Sequence, residues 1–205
     1  MRGHSHSHVE TAVGDALLHR ALAPSRRAAR EGSGVSVLFI GPLPDPVTGQ
    51  SLACQVFLDE LSKTHTVDVI NLSKKGYESG ADSFGRVKEV LAFAWQAWRK
   101  SGKADIIYFT ISESLAGNLK DILLYCACFP SLGSMVIHLH GGAGMRELMR
   151  ADRKLLRKLN GFFLKRLGAV IVLGERHVDL FSDLVQGGCG PDHGEIVISA
   201  RWNAA

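Results

Sequence analysis

The segment His138-Leu-His-Gly-Gly142 is the stretch of the chain best suited to chemistry. Residues two apart along a β-strand point to the same side, so His138 and His140 share a face. The glycines after His140 leave its ring unshielded at the end of the strand, where it can hydrogen-bond a hydroxyl or a phosphate, or transfer a proton. His140 is therefore the candidate catalytic residue. The alternative is that one of the pair, His138 in the first instance, is a hydrogen-bonded structural histidine.

A second candidate lies where a proline-rich loop leads into a helical pattern. Gly49 and Gln50 precede Ser51, which is a candidate N-cap for that helix. A glycine lets the backbone approach a ligand closely, and the free N–H groups and dipole of a helix N-terminus favour an anion such as a diphosphate. Gly49 and Gln50 are therefore candidates for contacting a phosphate or a similar anion. The alternative is that Gly49 merely permits a tight turn.

A strongly basic segment follows the histidines. Between Arg146 and Arg166 there are eight Lys or Arg against two acids, 8 − 2 = +6, which exceeds the +4 of the whole chain. The spacing predicts one long helix, about Met145 to Arg166, with an apolar packing face and a basic face. The basic face is either simply solvated or in contact with anionic lipid head groups. The residues proposed for this membrane contact are Arg150, Arg153, Lys154, Arg157 and Lys158.

Several kinds of site are disfavoured by what the sequence contains. The loop from Gly41 to Gly49 is long and proline-filled, unlike the G-x-G-x-x-G fingerprint of a dinucleotide site, and there is no P-loop motif. A zinc site at the histidines would need a third ligand that the cysteine spacing does not suggest, so no metal and no cofactor are expected. The mild net charge of +4 predicts no nucleic-acid partner.

The elements that must position these residues alternate along the chain. Apolar, β-rich runs begin near residues 35, 66, 104, 135, 169 and 195, and helical patterns lie between them. This alternation predicts an α/β fold: a single Rossmann-like, doubly wound parallel sheet, with the site at the carboxyl ends of its strands. Trp95 and Trp98 in one helical pattern are expected to be core or packing residues, the alternative being a stacking platform. Residues 1–34, with alternating histidines, form a flexible or tag-like tail, and 35–205 form one domain.

Composition places the chain among ordinary globular proteins. Apolar residues make up 46% and charged residues 21%, and the four cysteines are unevenly spaced. This is not a disulfide framework, so a reducing compartment is expected. The most apolar stretch, from Ile122 to Leu139, is interrupted by Pro and Gly, and the N-terminus lacks a signal-peptide core. We expect a cytoplasmic protein, with the basic segment allowing a peripheral position at the inner face of the membrane.

Four motifs together resemble the N-terminal domain of GT-B glycosyltransferases of family 4. They are Val37-Leu-Phe-Ile-Gly-Pro-Leu-Pro with Thr48-Gly-Gln-Ser-Leu, Asp105-Ile-Ile-Tyr-Phe-Thr-Ile-Ser, Val136-Ile-His-Leu-His-Gly-Gly, and Val170-Ile-Val-Leu-Gly-Glu. The resemblance covers roughly residues 35–199. It implies that Gly49 faces the donor diphosphate and that His140 lies near the transferred sugar. It further implies acceptor-side roles for Ser112, Ser114, Gly141, Gly142 and Arg146.

The resemblance implies the acceptor-side domain of a retaining glycosyltransferase. Such an enzyme moves a sugar from a nucleotide-sugar donor to a saccharide or lipid-linked acceptor, and its second domain binds most of the donor. The sequence stops at Ala205, where that domain and its E-x7-E motif would begin, so we expect this chain to be inactive alone and to need a separate donor-binding domain. The competing interpretation is a non-enzymatic Rossmann-like binding or partner domain.

Overall fold

The computed structural model describes residues 35–73, 83–150, 152–172, 177–179, 181 and 195–198. The predicted tail, residues 1–34, lies outside the described residues. Six strands form one sheet, and each begins within a residue or two of an apolar run that predicted it. They are β1 (Ser36–Gly41), β2 (Thr66–Asn71), β3 (Ile106–Thr110), β4 (Met135–Leu139), β5 (Ala169–Val172) and β6 (Glu195–Ile198).

The sheet is parallel throughout, with the order β2-β1-β3-β4-β5-β6. β1, β3, β4 and β5 are buried on both faces, which explains why their sequences are continuous apolar runs rather than alternating ones. β2, at one edge of the sheet, is more exposed: Val67 and Val69 are half-buried and only Ile70 is buried. The predicted α/β fold, a doubly wound parallel sheet, is confirmed.

Between β1 and β5, the part of the chain that the structure describes contains five α-helices. They are α1 (Gly49–Thr64), α2 (Ser83–Ser101), α3 (Leu115–Ala127), α4 (Ala143–Leu148) and α5 (Lys154–Leu164), and a 3₁₀ helix (Phe129–Ser134) follows α3. α1 packs on one face of the sheet, where Cys54, Leu58 and Leu61 join a cluster with Phe39 and Tyr108. α2, α3 and α5 contribute to the core cluster on the other face. Helices on both faces are what a right-handed, doubly wound topology requires.

The start of α1 differs by three residues from the prediction. Thr48, not Ser51, is the N-cap: its Oγ1 accepts from the backbone N–H of Ser51 at 3.0 Å. The Ser51 hydroxyl in turn accepts from the N–H of Thr48 at 2.8 Å, which completes a capping box. Gly49 is therefore the first residue inside the helix, and its backbone N–H points out of the helix end.

The long basic helix predicted from Met145 to Arg166 is wrong. The structure has two helices instead, α4 ending at Leu148 and α5 starting at Lys154. A continuous helix of this length would extend roughly 33 Å, about twice the length of a five-residue strand. Breaking the helix near Arg150 lets both halves stay against the sheet, so that Met149 and Phe163 are both buried. The predicted shared face of arginines is lost with the break.

The expected core packing of Trp95 and Trp98 is wrong, and the predicted apolar packing face of the basic segment is only partly confirmed, since Leu148 and Phe163 are buried but other members are exposed. Trp95 and Trp98 are 55% and 63% exposed, because α2 approaches the sheet through the small side chains of Ala94 and Ala97. On α5, Leu155 is 81% exposed, and Leu159 and Phe162 are exposed as well. Within the described part of the chain, no helix combines the length and the hydropathy needed to cross a membrane.

Candidate functional site

The crevice of the sheet lies where the strand order changes direction. β1 pairs with β2 on one side and with β3 on the other, so the connections after β1 and after β2 leave towards opposite faces. In open α/β sheets, ligands bind outside the carboxyl ends of the strands at such a point. The loops at this point begin directly after Gly41, Thr110 and Leu139, the last residues of β1, β3 and β4.

Helix α1 and the His140 loop meet at this edge of the sheet. The Sγ atom of Cys54 in α1 lies 4.0 Å from Nε2 of His140 and 3.3 Å from Oγ1 of Thr110. Gly49 precedes Cys54 by five residues, roughly 7.5 Å along the helix axis. β1 and β4 run parallel through β3, as the sequence predicted. The structure therefore brings the N-terminal part of α1 and His140 together at the carboxyl ends of the strands.

Gly49 is not required by packing. A Cβ atom added there would meet no other atom within 4 Å, so the position faces open space. Next to it, Nε2 of Gln50 lies 3.5 Å from the carbonyl oxygen of Ile111, which follows β3. The start of α1 is thus held near the end of β3, while the side of Gly49 stays accessible.

His140 is held as a neutral imidazole. Burial lowers the pKa of its ring to about 4, so protonation at neutral pH is disfavoured. Its ring stacks on that of His138, with centroids 4.0 Å apart and planes inclined by 29°. At pH 7 the ring can donate one hydrogen bond and accept another, but it is a poor proton donor.

His138 is the buried, structural member of the pair. Its Nδ1 lies 2.6 Å from the hydroxyl of Tyr108. The pKa of its ring is lowered mainly by burial and to a lesser extent by the nearby His140. Its Nε2 is buried without a hydrogen-bond partner among the described residues. The sequence analysis offered His138 as a hydrogen-bonded structural histidine, and its bond to Tyr108 agrees with that alternative.

Gly141 and Gly142 have a packing explanation. A Cβ atom at Gly141 would clash with the carboxylate of Glu113, and one at Gly142 would clash with the ring of His177. Glu113 also accepts a hydrogen bond from the backbone N–H of Gly144 at 2.9 Å. The sequence analysis missed Glu113. The polar residues that directly follow β3 were the signal that could have identified it.

Ser112 and Ser114 support the local structure at the start of α3. The hydroxyl of Ser114 accepts from the N–H of Gly117 at 3.1 Å and caps the helix. The N–H of Ser112 donates to Oδ2 of Asp121 at 2.7 Å. Burial raises the pKa of Asp121, although Lys120, 2.6 Å away, acts in the opposite direction. The roles predicted for Ser112 and Ser114 at an acceptor site stay predictions.

The basic residues divide into two groups. Arg150 lies 3.2 Å from Glu147 and 3.5 Å from Asp152, and Arg153 lies 3.7 Å from Glu147. Lys154 and Lys158 are exposed on α5, with Arg157 half-buried between them, and Arg146 is exposed on α4. The acids of this segment therefore accompany Arg150 and Arg153, whereas no salt bridge joins Lys154, Arg157 or Lys158 of α5 to an acid within the described residues.

A cavity of about 350 Å³ opens at the opposite end of the strands from His140. Its lining includes Ser36 at the start of β1 together with Trp95 and Arg99 from α2. Because the amino ends of the strands lie there, this cavity is separate from the His140 edge.

The described residues contain no group of three or more His, Cys, Asp or Glu side chains that could hold a metal ion. No protein-family model, no curated protein and no solved structure matches this chain. The function therefore has to be argued from the geometry of the His140 edge.

Proposed function

We propose that this chain is the acceptor-side domain of a retaining glycosyltransferase. It would take part in moving a sugar from a nucleotide-sugar donor to a saccharide or lipid-linked acceptor. The observation that carries the proposal is the contact between Cys54 of α1 and His140, which joins the start of α1 to the His140 loop at the crevice. Both elements come from the motifs that resemble this class of enzyme.

The start of α1 suits the diphosphate of the donor. Thr48 accepts from the N–H of Ser51, and the first intrahelical bond runs from the N–H of Leu52 to the carbonyl of Thr48. The N–H groups of Gly49 and Gln50 therefore have no carbonyl four residues earlier in the helix to bond to. The partial positive charge of the helix end favours an anion there. The open space beside Gly49 allows a phosphate to approach the backbone closely.

The proposed role of His140 follows from its protonation state. With a pKa of about 4, its imidazole is neutral at pH 7 and can hydrogen-bond a sugar hydroxyl or a phosphate oxygen. We therefore assign it to positioning the transferred sugar through a hydrogen bond rather than to donating a proton.

In this proposal a complete active site lies between two domains. The leaving diphosphate needs electrostatic stabilisation, and water has to be excluded between two domains. The proposal gives these tasks to a separate donor-binding domain. It therefore expects no measurable sugar transfer by the 205-residue chain alone.

The proposal places the protein at the cytoplasmic face of a membrane, because lipid-linked acceptors are found there. The basic residues Lys154, Arg157 and Lys158, with Arg150 and Arg153 beside them, would contact anionic head groups. Each base near such a surface contributes about 1 kcal/mol.

The test is a ligand titration followed by backbone amide NMR. Nucleoside diphosphates and nucleotide-sugars are added to the labelled chain, and the shifts of Gly49, Gln50 and His140 are followed. We expect saturable shifts there that are lost in Gly49→Ala, a change the fold tolerates. Shifts elsewhere, or none at all, would overturn the proposal and favour a non-enzymatic partner domain.

A further inference from the structure

The two faces of the sheet carry very different outer surfaces. We call α2, α3, α5 and the 3₁₀ helix the helical layer, because these helices share one face of the sheet. Most of the large apolar side chains that the described residues leave exposed belong to it. They are Val87, Leu91, Trp95, Trp98, Leu115, Leu119, Phe129, Leu155, Leu159 and Phe162.

On α2 the exposed apolar residues form a stripe. Val87, Leu91, Trp95 and Trp98 are separated by four, four and three residues, so they lie along one side of the helix. The guanidinium of Arg99 lies 4.8 Å from the centroid of the Trp95 ring. Tryptophan beside arginine is a combination that suits the boundary between water and lipid.

On α5 a second stripe faces away from the core. Leu155, Leu159 and Phe162 follow the same helical spacing, and the ring of Phe162 stacks on Phe129. The guanidinium of Arg166 lies 3.8 Å from the centroid of the Phe162 ring. From residue 154 to 166 the sequence has five basic residues and no acid. Apolar side chains and positive charge thus occupy the same surface.

The opposite side of the molecule differs in charge. α1 also exposes two apolar residues, Leu52 and Val56, but its charged residues are Asp59, Glu60 and Lys63. The net charge of α1 is therefore −1, whereas the helical layer is strongly positive. The number of exposed large apolar side chains and the charge therefore both distinguish the helical layer from α1.

We propose that the helical layer is a docking surface for an anionic lipid bilayer. Trp95, Trp98 and Leu155 enter the boundary between head groups and acyl chains, and the bases of α2 and α5 contact the lipid phosphates. A second copy of this chain is a poorer occupant, because it would bring two positive surfaces together. The inference extends the membrane contact of the proposed function to three helices and does not depend on sugar transfer.

The first experiment is co-sedimentation with vesicles of phosphatidylcholine alone or mixed with phosphatidylglycerol. We expect the full chain to bind the mixed vesicles, and Trp95→Ser with Trp98→Ser to weaken binding by about tenfold, since two large apolar groups are removed. The control is Leu52→Ser with Val56→Ser on α1, whose side chains are 49% and 44% exposed. The control should bind like the wild type.

Two charge-reversal variants test how much the positive charge of the helical layer contributes to binding. Lys158→Glu on α5 and Lys63→Glu on α1 change the net charge equally, but we expect the first alone to reduce binding to anionic vesicles. Equal losses from both variants would show that net charge, not this surface, attracts the vesicles, and would overturn the proposal.

Tryptophan fluorescence locates the contact. Trp202→Phe removes the third tryptophan, which lies outside the described residues, and leaves Trp95 and Trp98 as reporters. We expect their emission to shift to shorter wavelength with mixed vesicles. An unchanged emission, or a concentration-dependent dimer that Trp95→Ser with Trp98→Ser abolishes, would overturn the proposal. These experiments contain no nucleotide, so their result bears on the membrane proposal and leaves the transferase proposal to the nucleotide titration.

Discussion

The side-chain amides of Asn118 and Asn160 exchange two hydrogen bonds, each of 2.9 Å, between α3 and α5. Both residues are buried, and the Asn160 amide also donates to the carbonyl oxygen of Leu156. A reciprocal amide pair fixes the position of one helix along the other, because a shift along the axis would break both bonds. It explains how two otherwise apolar faces keep one alignment.

We expect Asn118→Ala to lower the free energy of unfolding by about 2 kcal/mol, because it leaves the buried Oδ1 of Asn160 without its partner. Asn160→Ala should cost a similar amount. The double variant should cost less than the sum by at least about 1 kcal/mol, as measured by urea denaturation of all four proteins. Strict additivity would contradict the paired geometry.

Stability should depend on pH through His140. Its pKa is lowered by burial from 6.5 to about 4, so the native state binds fewer protons than the unfolded chain in that range. Stability should therefore fall as the pH drops from about 6.5 towards 4, by roughly 3 kcal/mol from this group. Thermal denaturation across this pH range measures the effect.

The control is His140→Gln, which should show a shallower fall over the same range. The lowered pKa of His138 acts in the same direction, and the raised pKa of Asp121 acts in the opposite one. Both groups are present in wild type and variant, so the difference between the two curves reports on His140. Parallel curves would contradict the neutral, half-buried state of its ring.

Two glycines should respond oppositely to alanine. Gly49→Ala adds a Cβ into open space within a helix and should leave stability unchanged or raise it by up to about 1 kcal/mol. Gly144→Ala places a Cβ 2.5 Å from the backbone oxygen of Glu113 and should cost about 1–3 kcal/mol. Equal effects in denaturation experiments would show that one of the two environments is wrongly described.

The cysteines should differ in their reaction with a maleimide. Cys126 is exposed, whereas Cys54 and Cys128 are buried, and burial raises the pKa of their thiols, that of Cys128 to about 11. We expect rapid modification of Cys126 in the native protein, and modification of Cys54 only on unfolding. Mass spectrometry of proteolytic peptides at successive times distinguishes the sites.

The strands could be predicted because their signal is local. Val37-Leu-Phe-Ile40 and Ile106-Ile-Tyr-Phe109 are apolar on every residue, which is typical of strands buried on both faces. The break between α4 and α5 could not be predicted, since residues 148–154 contain neither Pro nor Gly. It depends on the length of the strands against which the helices pack, a property of the assembled fold.

The same distinction applies to the candidate site. His140 could be identified because it directly follows a strand and precedes two glycines. Cys54 contacts that loop from another element, 86 residues away in sequence, so nothing local in its pattern indicates the contact. Glu113 contacts the loop from 28 to 31 residues away, and its position among the polar residues after β3 was the one local signal for it. The exposure of Trp98 was missed for a related reason: periodicity defines the faces of a helix but not which face a neighbour covers.

The position of β1 between β2 and β3 has a consequence for synthesis on the ribosome. β1 pairs with β3 through partners such as Val37 and Ile106, so one of its edges stays without a partner until residue 110 has left the exit tunnel. At about 5–20 residues per second, this exposes an apolar strand edge for several seconds. An unpaired edge of this kind attracts other chains. The nascent protein is therefore expected to need chaperone protection mainly in this interval.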